Sequence, residues 1–286
     1  MADVLMGYFF VHGPLAGSRV PPGSGRHLGL LVVTSCLLYT AGMVLNDVFD
    51  APLDARERPL RPIPSGRIAP AAARRLGFVL LGAGTAAGWA AAGLLAAPRT
   101  ALITTGLAAL VLLYDAFLKH TPVGPLAMGG CRALNVLLGM SLSPTTWDGG
   151  NGLVAGGIGV YVVGITLLAQ TEAGTSRRRQ LALATLVLLA GLALIAWLPA
   201  WRSIRVEAAR WRLFWTLLAG LIGWRCLQAL LLPVPVRVQR AVRNAIHALI
   251  VIDAAICFSV QGTAWALAIL ALIVPTLWLG RWFPST

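Results

Sequence analysis

The chain has 286 residues, of which 58% are hydrophobic and only 12% charged, against roughly 25% charged in a soluble domain. With a mean hydropathy of +0.79, this excludes an ordinary soluble protein and places most of the chain in lipid. The net charge of +13 is almost entirely arginine, Lys119 being the only lysine. Because these arginines sit in short loops between apolar segments, they read as topology signals and contacts for anionic headgroups, and no nucleic-acid partner is expected.

In chain order, apolar segments run over 27–46, 71–97, 100–118, 125–143, 152–170, 180–198, 211–232, 239–259 and 262–282. Each is near the length of about 20 residues that a membrane-spanning helix needs, and Gly, Pro or Arg clusters separate them. A tenth segment, 1–17, is short for a span, has Asp3 near its start and lacks the charged start of a signal peptide. It is expected to be the outer half of a helix whose first turns are missing. The expected fold is all-α: a single domain over 1–286, a polytopic membrane bundle of nine to ten helices. Gly82, Gly84, Gly88, Gly156, Gly157 and Gly159 are positioned to let helix backbones approach closely. Cys36, Cys131, Cys226 and Cys257 lie inside apolar segments without a CxxC pair, so neither a disulfide nor a zinc site is expected. Trp197, Trp201, Trp211, Trp278 and Trp282 stand near segment ends, as in an interfacial belt. The loops that follow residues 46, 118, 170 and 232 hold thirteen Arg or Lys, and the loops on the other side seven. The first set is therefore expected to be cytoplasmic, in a cell (inner) membrane protein.

Between the first two long segments stands "NDVFDAPLDARERPLRPIPSGRI", residues 46–68. Asp47, Asp50 and Asp54 are spaced i, i+3, i+7, within about 60° on a helix. Three carboxylates this close repel unless a cation lies among them. Oxygen donors suit Mg²⁺, which takes one or two carboxylates plus substrate phosphates, and the arginines that follow offer forked donors to phosphate oxygens. Acids for Mg²⁺ followed by bases for phosphate describe a diphosphate site. A solvated loop that anchors two helix ends explains one aspartate but not this set. Pro52 is expected to end the helix near Asp50, which would turn Asp54 off the shared face.

Written NDxxDxxxD followed by RPxRPxxSGxI, this stretch resembles the first motif of the UbiA-type intramembrane prenyltransferases, and the helix pattern extends the resemblance over the whole chain. The resemblance implies a bundle around a central cavity, with Mg²⁺-dependent transfer of a prenyl group from a prenyl diphosphate to an acceptor, here unidentified. It implies Asp47, Asp50 and Asp54 as metal ligands, Asn46 beside them, and Arg58 and Arg61 near the phosphates. In the next loop of the same side Tyr114 and Lys119 match the family's Tyr-then-Lys/Arg pattern loosely; Asp47, Asp50 and Lys119 are the expected catalytic residues. Asp115 and Lys119, at i, i+4, are positioned to pair. Arg132 and Asn135 are polar residues in an apolar segment, either lining the cavity or, for Arg132, pairing with Asp115 or a carbonyl. Asp253 is expected to pair with Arg225 or to line the cavity.

The family's second motif, DxxxD, is absent. "LLAQTEAGTSRRRQ" at 167–180 offers only Glu172, followed by Arg177, Arg178 and Arg179. Glu172 alone completes the site, or arginines hold the phosphates, or catalysis is weakened. This loop, the "CRALNVLLGM" run and the C-terminal apolar segment are similar to the Ebo-type branch, which implies an acceptor from secondary metabolism. Two other readings stand: a phosphoribosyl-type transferase acting on a polyprenyl phosphate, and a non-catalytic scaffold or transporter for a lipid-like metabolite. A CDP-alcohol transferase would need a glycine after its first aspartate, where this chain has Val48.

Overall fold

The structure is a computed structural model and describes residues 1–12, 24–143, 147–171 and 178–282. Among them every regular element is helical: α1 Ala2–Val11, α2 Ser24–Glu57, α3 Pro70–Leu94, α4 Pro98–Leu113, α5 Gly124–Met140, α6 Gly149–Ala169, α7 Arg178–Ala196, α8 Ala208–Leu231, α9 Pro235–Gln261, α10 Thr263–Leu270 and α11 Ile273–Trp282. A single π-helical turn, Tyr114–Leu118, extends α4, and a short 3₁₀ turn, Leu198–Ala200, follows α7. Seven of the helices are long and apolar enough to cross a membrane; α1 and Thr263–Trp278 are shorter apolar stretches. The seventeen-residue α5 packs against α1, α4 and α6.

Local chemistry sets the helix ends. α3, α4, α5 and α9 each carry a proline in the first turn, where the missing N–H is one that a helix leaves unpaired anyway. α6 starts with a reciprocal capping box between Asp148 and Asn151. α9 stops at Gly262, whose φ of 91° suits glycine alone. The apolar segment 262–282 is not one helix as expected. Pro275 has no N–H to offer the Ala271 carbonyl, and the chain breaks into α10 and α11.

Successive helices from α2 to α9 pack as neighbours and alternate direction. The face where α2 ends (the acid face) therefore also carries the α4–α5 and α8–α9 turns and the C-terminal end of α6. Residues such as Val79, Leu102 and Leu186 point outward, exposed, which a lipid solvent explains. The interior is built from Phe10, Leu38, Tyr161, Leu188 and Ile252, and the Tyr161 hydroxyl donates to the Ala245 carbonyl at 2.9 Å, tying α6 to α9. α1 is about 15 Å long, half the ~30 Å hydrocarbon core, so Asp3 at its start lies inside the bundle, 1% exposed. All four cysteines are free thiols. Trp197, Trp201 and Trp278 are exposed near helix ends as expected, but Trp211 is buried, its indole N–H donating to the Ala196 carbonyl at 2.9 Å.

Close packing rests on glycine. A Cβ at Gly88 would meet the Thr104 side chain at 2.3 Å, and one at Gly157 would meet Ile195 at 2.6 Å. Gly84 and Gly159 are less tightly placed, with nearest contacts at 2.9 and 3.1 Å, while Gly82 and Gly156 face open space. The tightest α6–α7 contact comes from Gly191, where a Cβ would lie 2.4 Å from the backbone nitrogen of Tyr161. Backbone cannot yield as a side chain tip can, and overpacking costs about 1–3 kcal/mol. Gly191→Ala should therefore lower the detergent melting temperature clearly, and Gly156→Ala should leave it unchanged, as thermal denaturation followed by circular dichroism would show.

Candidate active site

α2 has 34 residues and is about 51 Å long, far more than the ~30 Å hydrocarbon core. Asp47 lies about 35 Å along it, so the acids emerge where the hydrocarbon ends. Pro52 does not stop the helix: α2 continues unbroken to Glu57 with the proline inside. This corrects the expected break at Asp50. The lost hydrogen bond falls near the water-facing end, where the freed carbonyl can be hydrated, so the usual cost of about 3 kcal/mol is softened. As a result Asp54 keeps the face of Asp47, and both meet Arg61. One guanidinium nitrogen of Arg61 lies 2.7 Å from Asp54 Oδ2 and 3.4 Å from Asp47 Oδ1.

The proline-rich loop places that arginine. The Arg61 N–H donates to the Arg58 carbonyl at 3.0 Å, and that of Ser65 to the Arg61 carbonyl at 2.9 Å. Gly66 adopts φ 77°, and Arg67 closes the loop by donating to the Leu60 carbonyl at 2.5 Å. Arg58, in contrast, is exposed, without an ion pair among the described residues.

The second cation comes from the α4–α5 turn. The π-helical turn carries Tyr114 and Asp115 and delivers Lys119, its side chain 8% exposed, to α2. Lys119 Nζ lies 2.5 Å from Asp50 Oδ1 and donates to Asn46 Oδ1 at 2.8 Å. His120 Nε2 approaches the same Asp50 oxygen at 3.6 Å; sequence reasoning passed over it, although its place next to Lys119 was a usable signal. The expected Asp115–Lys119 pair does not form. Asp115 is buried, with Oδ2 unpartnered, against Gly42 of α2, where a Cβ would stand 3.7 Å from that oxygen. Tyr114 is half-buried on the same turn.

The acid set is all oxygen. Asp47 is half exposed, while Asp50 and Asp54 are largely covered. Among the described residues no three of His, Cys, Asp and Glu gather as a closed metal group. Mg²⁺ asks for less: one or two carboxylates, the rest from phosphate and water. The donor set fits that requirement.

Arg132 and Asn135 belong to a separate network inside the bundle. Arg132 NH1 lies 2.9 Å from Asp3 Oδ2, Asn135 donates to the same oxygen at 3.0 Å, and Ser35 donates to Asn135 Oδ1 at 2.8 Å. Arg132 thus pairs with Asp3 and not with Asp115, a contact across 129 residues that no local pattern announces. Asp253 does not meet Arg225 either. It is fully buried beside Asp3, a carboxyl–carboxylate neighbour, near the charge of Arg132, and neither of its oxygens meets an N–H or hydroxyl donor. Arg225 instead donates to Gln228 at 3.3 Å. Tyr39 is close enough to interact with the charge of Arg132. Tyr39, Met43 and Asp47, at i, i+4, i+8, form an accessible stripe of α2 about 12 Å long, from the level of Arg132 to the acids. Glu172 lies outside the described residues.

Fold and motif together describe a membrane-embedded helical transferase architecture. The family model described as "UbiA prenyltransferase family" matches residues 4–284, and the chain belongs to that family; it is a multi-pass membrane protein. Two solved structures share the fold. One, described in connection with digeranylgeranylglyceryl phosphate synthase in membranes, has a TM-score of 0.63 at 16% identity, covering 90% of this chain and 92% of its own. The other, an apo UbiA homolog from Aeropyrum pernix K1, has a TM-score of 0.60 at 19% identity, covering 89% and 96%. In sequence, the digeranylgeranylglyceryl phosphate synthase of Methanopyrus kandleri is 33% identical over 46% of this chain and 48% of its own length. That of Methanothrix thermoacetophila is 38% identical over 42% and 44%. The chain thus matches about half the length of these curated relatives.

The interior network gives a stability test. Asp3→Ala leaves Arg132 without its carboxylate, and breaking one side of a buried pair costs about 3–5 kcal/mol. The double change Asp3→Leu with Arg132→Met should recover most of that loss in denaturant unfolding, because it removes both charges together.

Proposed function

We propose that this protein is a Mg²⁺-dependent prenyltransferase that takes a prenyl diphosphate at the α2 acids and passes the prenyl group to an acceptor. The observation that carries the reading is the convergence of Asn46, Asp47, Asp50 and Asp54 with Arg61 and Lys119 at one end of an accessible apolar stripe. Asp47, Asp50 and Asp54 hold the metal. Mg²⁺, when bound, neutralises the diphosphate and eases its departure. Arg61 and Lys119 turn from carboxylates to phosphate oxygens as the donor docks, and Arg58 adds an uncommitted cation at the rim. Asn46, fixed by Lys119, orients beside them. Tyr114 stands on the turn that carries Lys119, near the leaving group.

The prenyl chain lies along Tyr39 and Met43. These side chains and the surrounding helices keep water from the allylic carbon as it gains positive charge. Arg132 and Asn135 provide polar contacts at the far end of the stripe. The relatives' names join a prenyl-type chain to a glyceryl phosphate, which favours a phosphate-bearing acceptor over the secondary metabolite implied by the Ebo-type likeness. The latter rests in part on the Glu172 loop. The excess of Arg and Lys on the acid face supports a cytoplasmic position for the site in a cell membrane.

Membranes containing the protein, given labelled geranylgeranyl diphosphate, Mg²⁺ and a glyceryl phosphate or lipid-extract acceptor, should form a labelled lipid. A chelator should stop it. Label that binds and never reacts would refute transfer and support the scaffold reading. Asp47→Ala or Asp50→Ala, folded, should abolish turnover. Lys119→Met should lower kcat by about 10²–10³, the range for loss of one preorganised donor.

A further inference from the structure

A second charged site lies away from the acids, at the α8–α9 turn on the same membrane face. Arg225, Gln228, Arg237 and Arg240 line a hollow of about 130 Å³. Against about 30 Å³ for a water molecule in the liquid, that is room for a phosphate group. Gln228 organises the wall: its side-chain carbonyl accepts from Arg225 at 3.3 Å, and its backbone carbonyl accepts from Arg237 at 3.3 Å.

None of the three arginines meets a carboxylate among the described residues. Three guanidinium groups around one small hollow repel each other and gain from an anion between them. The hollow also adjoins the start of α9, a 27-residue helix with no acidic residue in its first turn, and helix N-termini attract anions.

The surroundings say which kind of anion. Arg225 stands six residues before the end of α8, about 9 Å inward along the axis. Trp224, Leu227, Leu231 and Val236 are exposed nearby, an apolar rim with an indole of the kind that sits at headgroup level. A free phosphate has no use for such a rim; a lipid has. Basic pockets between membrane helices are known to take anionic headgroups.

We propose that this pocket binds the phosphate of an anionic phospholipid, with the lipid's acyl chains against Trp224, Leu227, Leu231 and Val236. Gln228 presets two of the arginines, so the site recognises the headgroup and does more than draw the loop toward a charged surface.

The test is native mass spectrometry of the full chain in detergent, titrated with dioleoylphosphatidylglycerol, dioleoylphosphatidylcholine or inorganic phosphate. One phosphatidylglycerol should bind at least tenfold more tightly than phosphatidylcholine. The triple variant R225Q/R237Q/R240Q should lose that preference, and R205Q/R210Q/R212Q, with the same charge removed at the opposite face, should keep it. If the triple variant does not fold, R240Q alone, at an exposed side chain, should weaken binding at least threefold. Equal binding of the two lipids, equal loss in both triple variants, an unaffected R240Q, or displacement of the lipid by millimolar inorganic phosphate would each overturn the proposal.

Discussion

Arg61 held between Asp47 and Asp54 is the interaction on which the site depends. Two carboxylates on one helix face, at the depth where hydrocarbon gives way to water, would drive each other apart without a cation. The protein supplies one from its own next loop. It supplies another, Lys119, to Asp50. These pairs hold the end of α2 against its neighbouring loops past a proline, with Asp50 and Asp54 largely covered and Asp47 half exposed. They also set the chemistry. A guanidinium and an ammonium are donors that phosphate oxygens accept as readily as carboxylates do, so on the proposed reading a diphosphate that brings its own metal would exchange partners rather than break structure, and the resting and loaded sites would share one set of groups.

The length of α2 connects that chemistry to the membrane. A helix of ordinary span would leave the aspartates in hydrocarbon or far out in water. At about 51 Å it carries Tyr39 and Met43 within the apolar layer and Asp47 at its edge, on one stripe. On the proposed reading, a headgroup at the acids would place its tail along the same helix without any turn.

Much of this was legible in the sequence because it is local. Hydropathy marks the long helices, and the NDxxDxxxD and RPxRPxxSGxI patterns mark the acids and the arginine that binds them. What escaped was long-range or cooperative. Local rules end α2 at Pro52, whereas Arg61, seven residues beyond Asp54, ties both acids to one face. Asp115 and Lys119 look like a helical pair, but the π-helical turn between α4 and α5 rotates Lys119 toward α2. Asp3 and Arg132 are brought together only by the packing of a ten-residue helix against α5. The Pro275 break shows the reverse failure, a local signal hidden inside an apolar run.

The interior network and the site obey opposite electrostatic rules. At the acids, Asp47 and Asp54 share Arg61, and Lys119 and His120 share Asp50, so on the proposed reading the pairs would rearrange when a donor docks. Around Asp3 and Asp253 solvent is scarce, although the Arg132 side chain stays 29% exposed. One guanidinium answers Asp3 Oδ2, Asn135 and Ser35 extend the bonding, and Asp3 Oδ1 is left to the buried Asp253 beside it. A charge on Asp3 or Asp253 is poorly reached by water, and the network joins α1, α2 and α5 beside α9 at the level where the α2 stripe ends. On the proposed reading, a fixed buried pair at one end of the stripe and exchangeable pairs at the other would suit a site that admits a charged head and holds a reactive carbon in place.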